Sequence, residues 1–191
     1  MAPNRAPTPR FPLLCFGFVV CGIVTVLPGP LLPVMAAKWG LRDVQSGGFF
    51  AAEFAASTVG AIFSPYRLRR NMPTGYAVMS AGMLLLTVAS QTAKAGLGHS
   101  LALTAFALIG LGIGLSVTAT NLYVGSAAEE THRGDRARGL STVNLWWGIG
   151  AVACSWLVAG SERGGWLRAL LLLGALGAGV MFFGLSPQLR V

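Results

Sequence analysis

Long apolar runs separated by short, mostly basic segments set the pattern of this chain. The runs cover about Phe11 to Ala37, Val44 to Tyr66, Thr74 to Ser90, Ser100 to Val124, Ser141 to Gly160 and Trp166 to Leu185. Each approaches roughly 20 residues, the length a helix rising about 1.5 Å per residue needs to cross about 30 Å of hydrocarbon. None alternates with the period of two that a membrane β-strand requires. A backbone in lipid must satisfy its own N–H and C=O groups, so each run predicts a helix. The expected fold is an all-α membrane protein with six transmembrane helices in one bundle over 11–186, a disordered tail at 1–10 and a short tail at 187–191.

The first run follows Arg5 and Arg10 and has Met35-Ala36-Ala37 near its end, as a secretory leader would. It is longer than the about 7–15 apolar residues of a leader, and it reads as a retained helix. Pro28, Gly29, Pro30 and Pro33 predict a kinked or unwound outer end. Gly110, Gly112 and Gly114, with Gly174, Gly177 and Gly179, predict close helix approach, with a rocking hinge as the alternative.

Composition supports the membrane reading, because 54% of residues are hydrophobic and only 10% charged, too few to coat a soluble domain. The +8 net charge is asymmetric across the helices. Arg5, Arg10, Arg67, Arg69, Arg70, Arg133, Arg136, Arg138 and Arg190 share one side; Lys38, Arg42, Lys94, Arg163 and Arg168 share the other. Positive charge stays inside, so both termini are expected in the cytoplasm of a plasma or inner membrane. Basic residues spread over short loops fit contact with the lipid bilayer better than a nucleic acid. Cys15, Cys21 and Cys154 lie within the runs without metal-ligand spacing and read as small buried residues. With no nucleophile–base pair, metal set or cofactor motif, neither an enzyme nor a cofactor or metal is expected.

Glu53 is the one acid well inside an apolar run, about ten residues in and hence near the bilayer midplane. Ionising it there costs several kcal/mol unless it is paired or hydrated, which makes it a candidate to gain and lose a proton. Ser46, Phe50, Glu53, Ser57, Gly60 and Ser64 recur at steps of three and four and share one helix face. That face suits a proton-coupling or substrate-binding site, or a packed interface in which Glu53 bonds to neighbouring polar groups. A second polar group comprises Thr118, Thr120, Asn121 and Tyr123 with Asn144, Trp146 and Trp147. Amides beside indoles suit a hydroxyl-rich solute. Asn121 and Asn144 bonding each other across a hairpin, with the tryptophans in the interfacial belt, is the structural alternative.

Several passages resemble the amino-terminal six-helix half of the major facilitator superfamily. They are Leu27-Pro28-Gly29-Pro30-Leu31-Leu32-Pro33, Gln45-Ser46-Gly47-Gly48-Phe49-Phe50-Ala51-Ala52, Gly110-Leu111-Gly112-Ile113-Gly114-Leu115, Arg136-Ala137-Arg138-Gly139 and Asn144-Leu145-Trp146-Trp147-Gly148-Ile149-Gly150-Ala151. The last is similar to the fucose-permease-like sugar and proton symporter branch. The family's signature between helices 2 and 3 is reduced to Arg69 and Arg70, with Ala61, Pro65, Tyr66 and Leu68 at its other positions. Arg67, Arg69 and Arg70 are therefore either a cytoplasmic gate or lipid contacts that enforce orientation. The resemblance implies a half-size secondary transporter of a small polar solute, sugar first, in which a second copy of the chain completes a parallel homodimer. Glu53, Ser57, Asn121, Asn144, Trp146 and Trp147 would then line the path, with H+ carried by Glu53. The alternative is a non-transporting membrane subunit, or half of a heteromeric or truncated carrier.

Overall fold

A computed structural model describes residues 11–130 and 136–189. Among them there is no strand. Helix α1 (Phe11–Val26) leads into α2 (Pro28–Trp39) through a bend at Leu27. The expected unwinding is confined to that bend: Pro28 and Pro30 stand in the first turn of α2, where a missing N–H costs little, and Leu31 N still donates to Leu27 O at 3.2 Å. Gly40, at φ 60°, closes α2 with its N–H on Ala36 O. Trp39 Nε1 donates to Thr92 O at 3.1 Å, and Lys38 Nζ donates to Ser90 O, fastening the end of α2 to the far end of α4.

Helix α3 (Asp43–Phe63) is capped by Gln45, whose Oε1 accepts from Arg42 N at 3.0 Å. It ends two residues before Pro65, in a 3-10 turn over Ser64–Arg67, and α4 (Leu68–Gln91) follows. Helices α5 (Ala95–Glu130), α6 (Arg136–Arg163) and α7 (Leu167–Leu189) follow among the described residues. Gly165, at φ 69°, turns α6 into α7.

Glycine contacts fix how these helices run. The backbone of α5 at Gly110 and Gly114 lies against Glu53 and Ser57 of α3, so the two helices are parallel. Gly75 of α4 meets Gly112 and Ser116, whereas Gly82 meets Ala105 and Ile109, so α4 is antiparallel to α5. The chain therefore reverses at Ser64–Arg67. Helix α5 is the spine between α3 and α4, while α1 packs on α6 and α4 on α7. Gly22 and Gly150 make the α1/α6 crossing: a Cβ on either would lie 2.0 or 2.1 Å from a carbonyl oxygen of the other helix. Gly110, Gly112 and Gly114 have the expected close-packing role, whereas Gly174, Gly177 and Gly179 of α7 meet side chains.

Among the described residues five runs are long and apolar enough to cross a membrane: Phe11–Trp39, Asp43–Gln91, Ala95–Ser126, Arg136–Arg163 and Leu167–Pro187. The second and third runs of the sequence fall together in the 49-residue span Asp43–Gln91, on either side of the 3-10 turn. The helices also outrun their apolar portions. The polar segment Ala127 to Gly139, expected as a loop, is helical through Glu130 and again from Arg136, with 131–135 outside the described residues. Likewise α7 continues to Leu189, while the tail at 1–10 and residues 190–191 lie outside. The outer surface is apolar, with Phe54, Val88, Leu145, Val152, Trp156 and Phe183 all exposed, as a lipid-facing bundle requires.

Candidate functional site

The face of α3 predicted from its three- and four-residue steps packs against α5. Ser46, Glu53, Gly60 and Ser64 are buried, and Ser57 and Phe50 are half-buried. Glu53 is 2% exposed, and neither of its carboxylate oxygens has a hydrogen-bond partner among the described residues. Glycine at 110 lets the Glu53 backbone sit directly on α5: a Cβ there would lie 2.0 Å from Glu53 O. One turn earlier, the Phe49 ring stands 5.5 Å from Phe106 and 5.2 Å from His99, whose Nε2 is also buried and unpartnered. The acid thus lies on the α3/α5 helix contact, one turn from an aromatic cluster.

The second group does not join it. Asn121, on α5, is half-buried with Oδ1 unpartnered among the described residues. Asn144 is exposed, and its Nδ2 donates to Leu140 O of its own helix at 2.7 Å. Trp147 is half-buried, and its carbonyl meets Gly22 at the α1/α6 crossing. Trp146 points elsewhere, into a shallow cleft of about 440 Å³ with Phe11, Cys15, Phe16, Val19 and Thr142. Asn144 lines a different open surface of about 700 Å³ with Leu145, Gly148, Ile149, Val152 and Ala153. Glu53 and Ser57 belong to the α3/α5 contact; Asn144, Trp146 and Trp147 belong to α6. These residues are not gathered around one solute cavity.

Cys21, read from the sequence as a small buried residue, and Thr120, placed in the second polar group, instead meet at a polar centre of the bundle with Tyr76 and Ser116, which the sequence reading did not single out. Cys21 of α1 donates its thiol to the Tyr76 hydroxyl of α4 at 3.7 Å and stands 3.8 Å from Ser116 Oγ of α5. Ser116 Oγ also donates to Gly112 O at 2.8 Å, and Thr120 Oγ1 to Ser116 O at 2.8 Å. Tyr76 is wholly buried, and the Gly17 position leaves room for its hydroxyl. A polar residue at one position in each of three helices was the available signal. We expect Tyr76→Phe to lower stability in detergent by about 0.5–1.5 kcal/mol, the value of one buried hydrogen bond, measured by thermal melting.

Arg67, Arg69 and Arg70 are exposed around the α3–α4 turn. Asn71 Nδ2 donates to Phe63 O at 3.0 Å and Ser64 O at 3.1 Å, and Ser64 Oγ donates to Leu115 O at 2.9 Å, which pins the turn to α5. Phe63 and Tyr66 flank the arginines, exposed, with ring centroids 6.3 Å apart. Among the described residues no three His, Cys, Asp or Glu side chains gather as a metal site.

An all-helical fold with an apolar exterior and long apolar helices defines an integral membrane protein. Residues 70–185 match the sequence model of the PUCC protein family, well over half of the chain, and the chain belongs to that family. No curated protein matches it. No major facilitator family matches either, which overturns the resemblance to that superfamily and the reading of the bundle as one of its halves. The expected homodimeric, proton-coupled sugar transporter falls with it. The physical reason lies in the glycines that carried the resemblance. Gly110, Gly112, Gly114 and Gly150 all serve helix crossings, a demand common to unrelated membrane bundles. The proline-rich passage and the Gln45–Ala52 passage lie outside the matched region.

Proposed function

We propose that the chain is a non-transporting membrane subunit that docks on another membrane protein through α6. The observation that carries this reading is the outward face of α6. In the most apolar window of that helix only 22% is buried, against 28% in the run that holds α7 and 56% in the runs that hold α1 to α5. Gly148 has nothing within 4 Å of where a Cβ would stand, two residues from a Gly150 locked in a crossing. Asn144 beside it is exposed at the same surface. Amides facing lipid are unfavourable, and small residues flanked by a hydrogen-bonding side chain form helix-docking seams. The PUCC family is bacteriochlorophyll- and photosynthesis-related, which supports a partner in pigment-bearing membranes. Six crossings, with the reversal at Ser64–Arg67 counted and both termini on the more basic, cytoplasmic side, belong to the same proposal.

The test is complementation in a photosynthetic bacterium lacking the chain, reading membrane bacteriochlorophyll by absorption. The parent restores pigment, and Gly148→Leu, expressed to the same level, lowers it by about tenfold, as expected when docking weakens by about 1.4 kcal/mol. Full restoration by Gly148→Leu sinks the docking seam. Uptake of a labelled sugar by proteoliposomes holding the purified chain would overturn the non-transporting reading.

A further inference from the structure

We propose that the α3–α4 turn is a binding surface for anionic phospholipid headgroups, with Arg67, Arg69 and Arg70 as the phosphate contacts and Phe63 and Tyr66 as the interfacial anchor. The position of the turn comes first. Helix α3 has 21 residues, about 31 Å at about 1.5 Å per residue, which matches the hydrocarbon thickness. With Asp43 at one interface, Arg67 stands at the level of the headgroups on the other. Phe63 is 59% and Tyr66 78% exposed, at the depth where aromatic rings prefer to sit.

Charge comes second. All three guanidinium groups are exposed, and no described carboxylate pairs with them. The carboxylates among the described side chains are Asp43 at the far end of α3, Glu53 about ten residues up the helix, and Glu162. Glu162 lies in the last turn of α6, whose start at Arg136 lies beside Gly125 near the turn's end of α5, so it too belongs to the opposite interface. Arginine's planar fork binds phosphate in a bidentate manner, and three forks on one turn offer more donors than a single headgroup can take.

Rigidity comes third. Asn71 and Ser64 hold the turn through three hydrogen bonds to backbone carbonyls, one of them on α5. Pro65 removes a further degree of freedom at its centre. The arginines therefore project from a fixed platform, so binding does not have to order a loop first. This surface is remote from the α6 seam, and its test is independent of the docking reading.

The experiment uses the purified full chain in bilayers doped with spin-labelled phosphatidylglycerol or spin-labelled phosphatidylcholine, reading the motionally restricted lipid fraction. An arginine near an anionic surface enriches anionic lipid by about fivefold, so three act by roughly a hundredfold at low ionic strength. The parent should prefer phosphatidylglycerol, and the triple variant R67Q/R69Q/R70Q should lose the preference. R67K/R69K/R70K keeps the charge and retains most of it, and the single variant Arg69→Gln gives a graded loss should the triple variant fail to fold. R163Q/R168Q, at the opposite interface, leaves it unchanged. Inorganic phosphate should not displace the labelled lipid; displacement would mean that the turn binds free phosphate, and overturns the lipid assignment. Retained preference in a folded Gln variant, or equal restriction of both lipids by the parent, also overturns it.

Discussion

Alanine in place of Gly22, or of Gly150, breaks the α1/α6 crossing and should lower the melting temperature of the protein in detergent. At Gly22 the new methyl would lie 2.0 Å from Trp147 O and 3.0 Å from Ala151 N; at Gly150 it would lie 2.1 Å from Val19 O. These are backbone atoms, so no rotamer change relieves the clash and the helices must move apart. Overpacking typically costs about 1–3 kcal/mol, and the value here is expected at or above the upper end because both sides of the contact are helix backbone. The two substitutions disrupt one contact, so the double variant should cost clearly less than the sum of the singles. Gly148→Ala provides the control: nothing lies within 4 Å, and the variant should melt within about 1 kcal/mol of the parent, with any change towards stability from better helix propensity. A Gly22→Ala protein that melts with the parent would show that the crossing is looser than its geometry indicates.

The second large effect has the opposite sign. Glu53→Met should stabilise the protein by about 1–3 kcal/mol, because both carboxylate oxygens are buried without a partner among the described residues and a methionine fills nearly the same volume. Glu53→Gln should do little, since the amide inherits the same unpartnered position. Denaturation in detergent micelles measures both. A methionine variant less stable than the parent would reveal a bonding partner for the acid. Because Glu53 lies on α3 and the docking seam on α6, Glu53→Met should still restore membrane pigment in the complementation assay. A stabilised but inactive variant would move the functional site to the α3/α5 contact.

The apolar runs marked where helices pass through the membrane but not where they end. Sequence placed the fourth at Ser100 to Val124, while α5 extends from Ala95 to Glu130. Hydrogen bonding continues a helix into the headgroup region, where Ser126 is at no disadvantage, so hydropathy underestimates its length. Conversely, Pro65 lay inside a run that hydropathy treated as continuous to Tyr66, and the α-helix stops at Phe63 because the proline supplies no donor for the next turn. The polar face of α3 was legible from its spacing, since steps of three and four fix a face whatever the partner. What it faces was not legible. The contact with α5 depends on Gly110 and Gly114 lying some 57 residues further along the chain, and only the folded register aligns them with Glu53 and Ser57. The two amides were matched by their places on either side of one hairpin, and the structure instead bonds Asn144 to Leu140 of its own helix.

The parallel contact between α3 and α5 has a bearing on synthesis. The chain enters the bilayer from its amino terminus, so α3 is placed before the helix that buries Glu53 has been made. During that interval the acid lacks the α5 backbone that later packs against it at Gly110. Helix α1 waits longer still for α6. Two early segments must therefore be held by lipid, by the insertion machinery or by a neighbouring protein until later ones arrive. The step that closes the bundle is the arrival of α5 and α6, and variants that loosen Gly110 or Gly150 should expose half-inserted chains to membrane proteases before any finished protein is lost.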